Sequence, residues 1–98
     1  MKLEFHPEAE KEFLEAVSYY EAQVPGLGER FDAEVRSASA VLLEYPEIGP
    51  PIDAELRKLV LARFPYYLIY SISLEIIQIV AIAHERRRPG YWDQRIGC

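Results

Sequence analysis

The sequence predicts an α+β fold, in which an N-terminal strand and an antiparallel helical hairpin pack on one face of an antiparallel sheet. Two observations predict this class. Residues 7–45 carry apolar side chains at helical spacing, whereas residues 56–82 are dominated by β-branched and aromatic side chains. Strands grouped apart from helices are typical of such folds, so three C-terminal strands should form most of the sheet. The length of 98 residues fits a single domain, residues 1–98.

The first half of the chain predicts one short strand and two helices. Lys2–Phe5 alternates polar and apolar residues, which is typical of a strand. Pro7 suits the first position of a helix, and the apolar spacing continues to about Gln23. A second helical pattern starts near Leu27 and stops at Pro46, because a proline does not continue a helix. Since only a few residues separate the two helices, an antiparallel hairpin is favoured.

The second half of the chain predicts a surface connection and three strands. Pro46–Ala54 is rich in proline, which indicates a loop. Strands are expected at Leu56–Phe64, Tyr66–Ile72 and Ile76–Ile82. The last two are separated only by Ser73-Leu74-Glu75, so they should pair as an antiparallel hairpin.

The last strand is apolar on both of its faces. Regular alternation places Ile77 and Ile79 on one face, and Ile76, Val80 and Ile82 on the other. The helical hairpin covers only one side of the sheet, so the second face needs another cover. Either a partner protein binds there, as exposed apolar surfaces often indicate, or the C-terminal tail and the proline-rich loop fold over it.

Composition excludes several classes of protein. Half of the residues are apolar and 28% are charged, as in ordinary globular domains. The longest stretch without charge, residues 64–74, is far shorter than the roughly 20 residues that a membrane helix needs. The N-terminus has no secretory pattern, and the single cysteine, Cys98, cannot form an internal disulfide. We therefore expect a cytoplasmic protein without membrane association.

Charge is distributed unevenly along the chain. Residues 1–56 contain 4 Lys and Arg against 13 Asp and Glu, a balance of −9. Residues 57–98 contain 7 against 3, a balance of +4. This polarity predicts an acidic outer layer and a basic working face. Because a general nucleic-acid-binding domain is strongly basic as a whole, direct sequence-specific nucleic-acid binding is not expected.

The residues that most suggest a function directly follow the last strand. Arginine and histidine can neutralise a phosphate and relay a proton, and an aromatic ring can stack on a base. Arginine and aromatic residues also dominate the binding energy of many protein–protein interfaces. In the structural alternative, the histidine caps the strand and the arginines pair with the acidic helices. The cluster consists of His84, Arg86, Arg87, Arg88, Tyr91 and Trp92.

Other chemical motifs are missing from the sequence. It contains no phosphate-binding glycine loop, no nucleophile elbow and no Cys/His spacing suited to zinc, so no metal or cofactor is expected. His6 is expected to start a helix or to lie at the surface. The acidic residues of the first helix are expected to form a solvated face. Arg57 and Arg63 could belong either to a functional site or to ion pairs with the helices.

The sequence resembles the RelE/ParE family of toxins from bacterial type II toxin–antitoxin (plasmid stabilisation) systems. The resemblance spans essentially the whole chain and implies a small α+β toxin that inhibits growth when it is released from its antitoxin. It also implies that the antitoxin covers the second sheet face at Ile76, Val80 and Ile82. The motifs that carry it are Tyr19-Tyr20, Pro25-Gly26-Leu27-Gly28, Leu56-Arg57-Lys58, Arg63-Phe64-Pro65-Tyr66, Ala83-His84-Glu85-Arg86-Arg87 and Tyr91-Trp92.

The resemblance offers two mechanisms. RelE-like members cleave mRNA in the ribosomal A site without a metal, whereas ParE-like members poison DNA gyrase and have no known enzymatic activity. The cleaving branch carries an arginine in the third strand, where this chain has Tyr67. The ParE-like branch is therefore favoured, with gyrase as the target. An mRNA endonuclease, and a binding module or decayed toxin without enzymatic activity, are the alternatives.

The resemblance also assigns site residues for each mechanism. In an RNA-cleaving protein, His84, Arg86 and Tyr91 would be catalytic. In either case a basic and aromatic set would bind the target. That set is Arg57, Arg63, Arg86, Arg87, Arg88, Tyr91 and Trp92.

Overall fold

The computed structural model describes residues 1–96, and Cys98 lies outside them. These residues form two α-helices, a four-stranded sheet and a short 3-10 helix at Asp93–Arg95. No helix within this range is long and apolar enough to cross a membrane. The strands are β1 (Lys2–Phe5), β2 (Leu56–Val60), β3 (Tyr66–Ser73) and β4 (Ile76–His84), and the helices are α1 (Pro7–Gln23) and α2 (Leu27–Glu44).

The strand order in the sheet is β1-β4-β3-β2. Strands β2, β3 and β4 pair antiparallel, as the sequence predicts, and the α+β class is confirmed. Strand β1 pairs parallel with β4, with Phe5 opposite Ile79, so the complete sheet is mixed. A parallel pair requires a long connection between its strands, and here the helical hairpin and two strands provide it.

The helical hairpin covers one face of the sheet. Phe31 and Leu42 of α2 are fully buried. They belong to one core cluster with Leu68 of β3 and with residues of β4. Gly28 lets the two helices approach closely, because a Cβ atom there would lie 2.6 Å from the carbonyl oxygen of Val17. The predicted hairpin and its core face are confirmed.

A β-bulge in β4 overturns the predicted alternation of that strand. The pairing register shifts between Ile69 and Tyr70, which leaves Val80 as an additional residue in β4. Beyond the bulge the side chains change faces. Ile82 packs in the core under the helices, whereas Val80 belongs to the apolar cluster on the opposite face. The prediction that Val80 and Ile82 share a face is therefore wrong.

The C-terminal segment covers part of the second sheet face. Trp92 is only 4% exposed and packs in one cluster with Tyr67 and Val80. Of the three residues predicted to present an open surface to an antitoxin, Val80 and Ile82 are each 2% exposed, and Ile76 is 37% exposed. The prediction of an open apolar surface is thus wrong at Val80 and Ile82, because the tail buries one and the bulge turns the other inward.

Strand β2 is shorter than the sequence predicts. It ends at Val60, and a bend follows before β3 begins. The carboxylate of Glu34 on α2 holds this bend by accepting hydrogen bonds from the amides of Ala62 (2.9 Å) and Arg63 (3.3 Å). Phe64 then packs against Phe31 in the core, with ring centroids 5.1 Å apart.

Candidate functional site

The candidate site lies where β4 ends. His84 is the last residue of β4 and the register partner of Tyr66, the first residue of β3. Their rings are 5.0 Å apart in an edge-on arrangement. The amide of Glu85 donates to the carbonyl of Pro65 (2.8 Å), so the β2–β3 bend and the end of β4 share one end of the sheet. The bend residue Arg63 is therefore brought to this end.

A tight turn positions the arginines. The amide of Arg86 donates to Nδ1 of His84 (3.0 Å), and the amide of Arg87 donates to the carbonyl of His84 (3.0 Å). The predicted cap on the strand by His84 is thus present, and it coexists with a clustered set of arginines.

Arg86, Arg87 and Arg88 are all exposed, and they differ in their contacts. The Arg87 guanidinium lies 3.7 Å from the centre of the Tyr91 ring, and its Nη1 lies 3.1 Å from Oε2 of Glu12. Arg86 and Arg88 are exposed, and neither forms a salt bridge within residues 1–96. We call these two residues the arginine corner.

Glu12 of α1 connects the helix, the sheet and the tail. Its two carboxylate oxygens accept hydrogen bonds from Nη1 (2.9 Å) and Nη2 (3.0 Å) of Arg95. They also accept from the hydroxyl of Tyr91 (2.7 Å) and the amide of Ile82 (3.0 Å). Arg95 donates further to the carbonyl of Val80 (3.0 Å). The side chains of Glu12 and Arg95 are 11% and 12% exposed, so this is a largely buried charged network.

The network fixes the protonation of Tyr91 and Arg95. Burial raises the pKa of Tyr91, and the hydrogen bond to Glu12 raises it further. The phenol therefore remains protonated and acts as a donor. The hydrogen bond to Glu12 also raises the pKa of Arg95, so its guanidinium is held in the charged form.

Sequence reasoning missed two members of this network. The acidic face of α1 was predicted to be solvated, which is wrong for Glu12. A usable signal was present, since Glu12 lies three residues after Ala9 and four before Ala16, both buried on the face of α1 that meets the core. A carboxylate on an apolar stripe indicates a buried partner. Arg95 gives no such signal, because it lies in a tail without helical or strand periodicity.

The remaining predicted residues are not all exposed. Trp92 lies with its ring 6.0 Å from that of Tyr67 and is nearly inaccessible. Tyr67 is also buried, with the ammonium of Lys58 4.3 Å from its ring centre. Arg57 donates from Nη1 to two backbone carbonyls of the preceding loop. Arg63 is exposed and has no salt bridge within residues 1–96.

Comparison with known proteins first defines the class of this molecule. The fold matches a solved structure titled "Chromosomal ParDE TA system from P. aeruginosa", with a TM-score of 0.75 and 19% identity. The match covers 86% of this chain and 95% of that chain. Two proteins named "Toxin ParE2", from Mycobacterium tuberculosis strains CDC 1551 / Oshkosh and ATCC 25618 / H37Rv, are each 28% identical over 89 residues, which is 90% of this chain and 85% of theirs.

The family follows from a family model. Residues 3–89 match the model described as "ParE toxin of type II toxin-antitoxin system, parDE". The chain belongs to this family and is a toxin of a type II toxin–antitoxin system, so the resemblance seen in the sequence is confirmed. Membership implies an antitoxin as partner. The family match includes Glu12 and the arginine corner, whereas Tyr91, Trp92 and Arg95 lie beyond it.

Proposed function

We propose that this toxin stops growth by binding DNA gyrase through the arginine corner, without cleaving RNA. The observation that carries the proposal is the network around Glu12. It engages Tyr91, Arg87 and Arg95, and it leaves Arg86 and Arg88 as exposed guanidinium groups without a salt bridge in residues 1–96. Exposed arginines on a rigid sheet end are suited to binding an acidic protein surface.

The same network argues against metal-free RNA cleavage. Such a reaction needs one group to take a proton and another to give one. Tyr91 cannot take a proton in its present state, because it is protonated and already donates to Glu12. His84 accepts the Arg86 amide at Nδ1, which leaves only Nε2 for acid–base chemistry. Tyr67, in place of a strand arginine, is covered by Trp92 and offers no charge to a phosphate.

The distribution of charge also supports a protein target. The first 56 residues carry a balance of −9, which repels a polyanion such as ribosomal RNA. A local basic surface on an acidic protein can instead steer the approach to an acidic patch of another protein. In this proposal the toxin acts in the cytoplasm, where both gyrase and the antitoxin of this toxin are found.

The test compares wild type with Arg86→Ala/Arg88→Ala in a supercoiling assay with purified gyrase and relaxed plasmid. We expect wild type to inhibit supercoiling and the double variant to lose at least about tenfold in potency, since each interface arginine contributes roughly 1 kcal/mol or more. The matched control, Lys11→Ala/Arg36→Ala, removes the same charge from the exposed surface of the helices and should retain wild-type potency.

Two results would overturn the proposal. One is normal supercoiling at saturating wild-type toxin. The other is cleavage of ribosome-bound message at codon boundaries by purified toxin, with loss of cleavage in Tyr91→Phe. Expression without antitoxin should halt growth, and normal division at high expression would identify the chain as a decayed toxin.

A further inference from the structure

The end of α2 and the connection that follows it expose an unusual density of apolar side chains. Within residues 1–96, five of the 12 exposed large apolar residues lie between positions 41 and 52. Tyr45 is 58% exposed and Ile48 is 51% exposed, and together with Pro46 they line a shallow groove. An exposed apolar groove with a polar rim is typical of a binding surface. The five residues are Val41, Leu43, Tyr45, Ile48 and Ile52.

The sheet holds this exposed segment in place. The buried hydroxyl of Tyr70 donates to the carbonyl of Pro46 (2.7 Å) and accepts from the amide of Gly49 (3.0 Å). Nη1 of Arg57 donates to the carbonyls of Glu47 (3.1 Å) and Gly49 (2.8 Å). Because the backbone under Tyr45 and Ile48 is fixed from below, a partner would not have to order it on binding.

Charge defines the chemistry of the occupant. Residues 41–55 contain four acidic residues and no Lys or Arg. Glu44 and Glu47 line the groove itself, and the nearby Arg57 guanidinium is directed to backbone carbonyls. An acidic rim repels nucleic acid and anionic lipid, and it attracts Lys and Arg. The remaining two acidic residues are Asp53 and Glu55.

We infer that Tyr45 and Ile48 form a docking surface for an amphipathic segment of the antitoxin that carries Lys or Arg beside its apolar residues. The assignment to an antitoxin rests on the family, and it does not depend on gyrase as the target. Tyr70 of β3 anchors the docking surface, whereas the arginine corner lies beside the start of β3 at Tyr66. These two points on β3 are four residues, roughly 13 Å, apart.

The test uses a fluorescent model helix of about 18 residues, with Leu on one face and Lys on the other, and measures its anisotropy with the purified toxin. Tyr45→Ser/Ile48→Ser should weaken binding at least about fivefold, corresponding to roughly 1 kcal/mol. The matched control Val24→Ser/Leu74→Ser removes exposed apolar side chains elsewhere and should bind as wild type does. Equal binding by wild type and Tyr45→Ser/Ile48→Ser would overturn the inference.

Further variants test the role of the acidic residues and the identity of the bound partner separately. Glu44→Gln/Glu47→Gln should weaken binding of the Lys peptide, whereas Glu10→Gln/Glu75→Gln should not. A peptide with Glu in place of Lys that binds equally well would refute charge recognition. The Tyr45→Ser/Ile48→Ser variant should still inhibit gyrase as strongly as wild type does. Loss of gyrase inhibition, or a wild-type dimer in sedimentation that the variant abolishes, would reassign the surface to the target or to a second copy.

Discussion

Four arginines near the C-terminus form two pairs that differ in their contact with Glu12. The exposed Arg87 and the largely buried Arg95 both contact the carboxylate of Glu12, whereas Arg86 and Arg88 are exposed and form no salt bridge within residues 1–96. All four occur within a ten-residue segment. The difference shows that residue type alone does not separate a structural arginine from one available for binding. The position of a single carboxylate on α1 makes that separation.

The largest loss of stability is expected when the carboxylate of Glu12 is removed. Glu12→Ala would leave a largely buried guanidinium, a phenol and a strand amide without their acceptor, so we expect the free energy of unfolding to fall by about 3 kcal/mol or more. Urea denaturation followed by circular dichroism measures this loss. Glu15→Ala, on the exposed side of the same helix turn, should change it by less than about 0.5 kcal/mol. A loss below about 1 kcal/mol for Glu12→Ala would show that the network contributes little.

Substituting one arginine from each pair should lower the free energy of unfolding by less than Glu12→Ala does. Arg95→Ala removes two hydrogen bonds to Glu12 and one to the carbonyl of Val80, so we expect a loss of about 2 kcal/mol in unfolding free energy. Arg88→Ala should change stability by less than about 0.5 kcal/mol. In the supercoiling assay at equal folded concentration, Arg88→Ala should show the greater loss. The reverse order in either measurement would contradict the division into two pairs.

Tyr91→Phe should have the smallest effect, about 1 kcal/mol at neutral pH, because it removes one hydrogen bond to Glu12. Its pH dependence is more specific. The pKa of Tyr91 is raised in the folded state, so its contribution is complete below the ordinary tyrosine pKa of about 10 and is lost as pH rises toward the folded-state value. The stability advantage of wild type over Tyr91→Phe should therefore stay constant up to about pH 9 and shrink as the pH rises above about 10. A constant advantage would show that Tyr91 is not held as a protonated donor.

Local patterns predicted most of the fold. The spacing of apolar residues in α1 and α2 and the β-branched runs of β3 and β4 were sufficient for the α+β class and for the antiparallel hairpins. The parallel pairing of β1 was not predicted, since it joins residues more than 70 positions apart and leaves no local signal. The bulge at Val80 was also not predicted, because residues 79–83 are all apolar and alternation has no polar residue there to follow.

The sequence predicted which residues the candidate site contains, but not which of them contact each other. The sequence located the arginines and the histidine at one end of the sheet, and the structure places them there. The sequence could not separate the arginines that contact Glu12 from those available for binding. That separation depends on a residue more than 70 positions away in the chain. For the same reason Trp92 was interpreted as a surface residue, whereas tertiary packing against Tyr67 buries it.

The parallel alignment of β1 and β4 has a practical consequence for handling the toxin. The amide of Lys2 donates to the carbonyl of Glu75 (2.8 Å), just before β4 begins, while the arginine corner follows the other end of that strand. The nine residues of β4 separate these points by roughly 25 Å. A tag, dye or biotin fused ahead of Met1 would thus leave the basic end of the molecule unobstructed, so a sensor chip loaded through that fusion would present Arg86 and Arg88 to soluble gyrase.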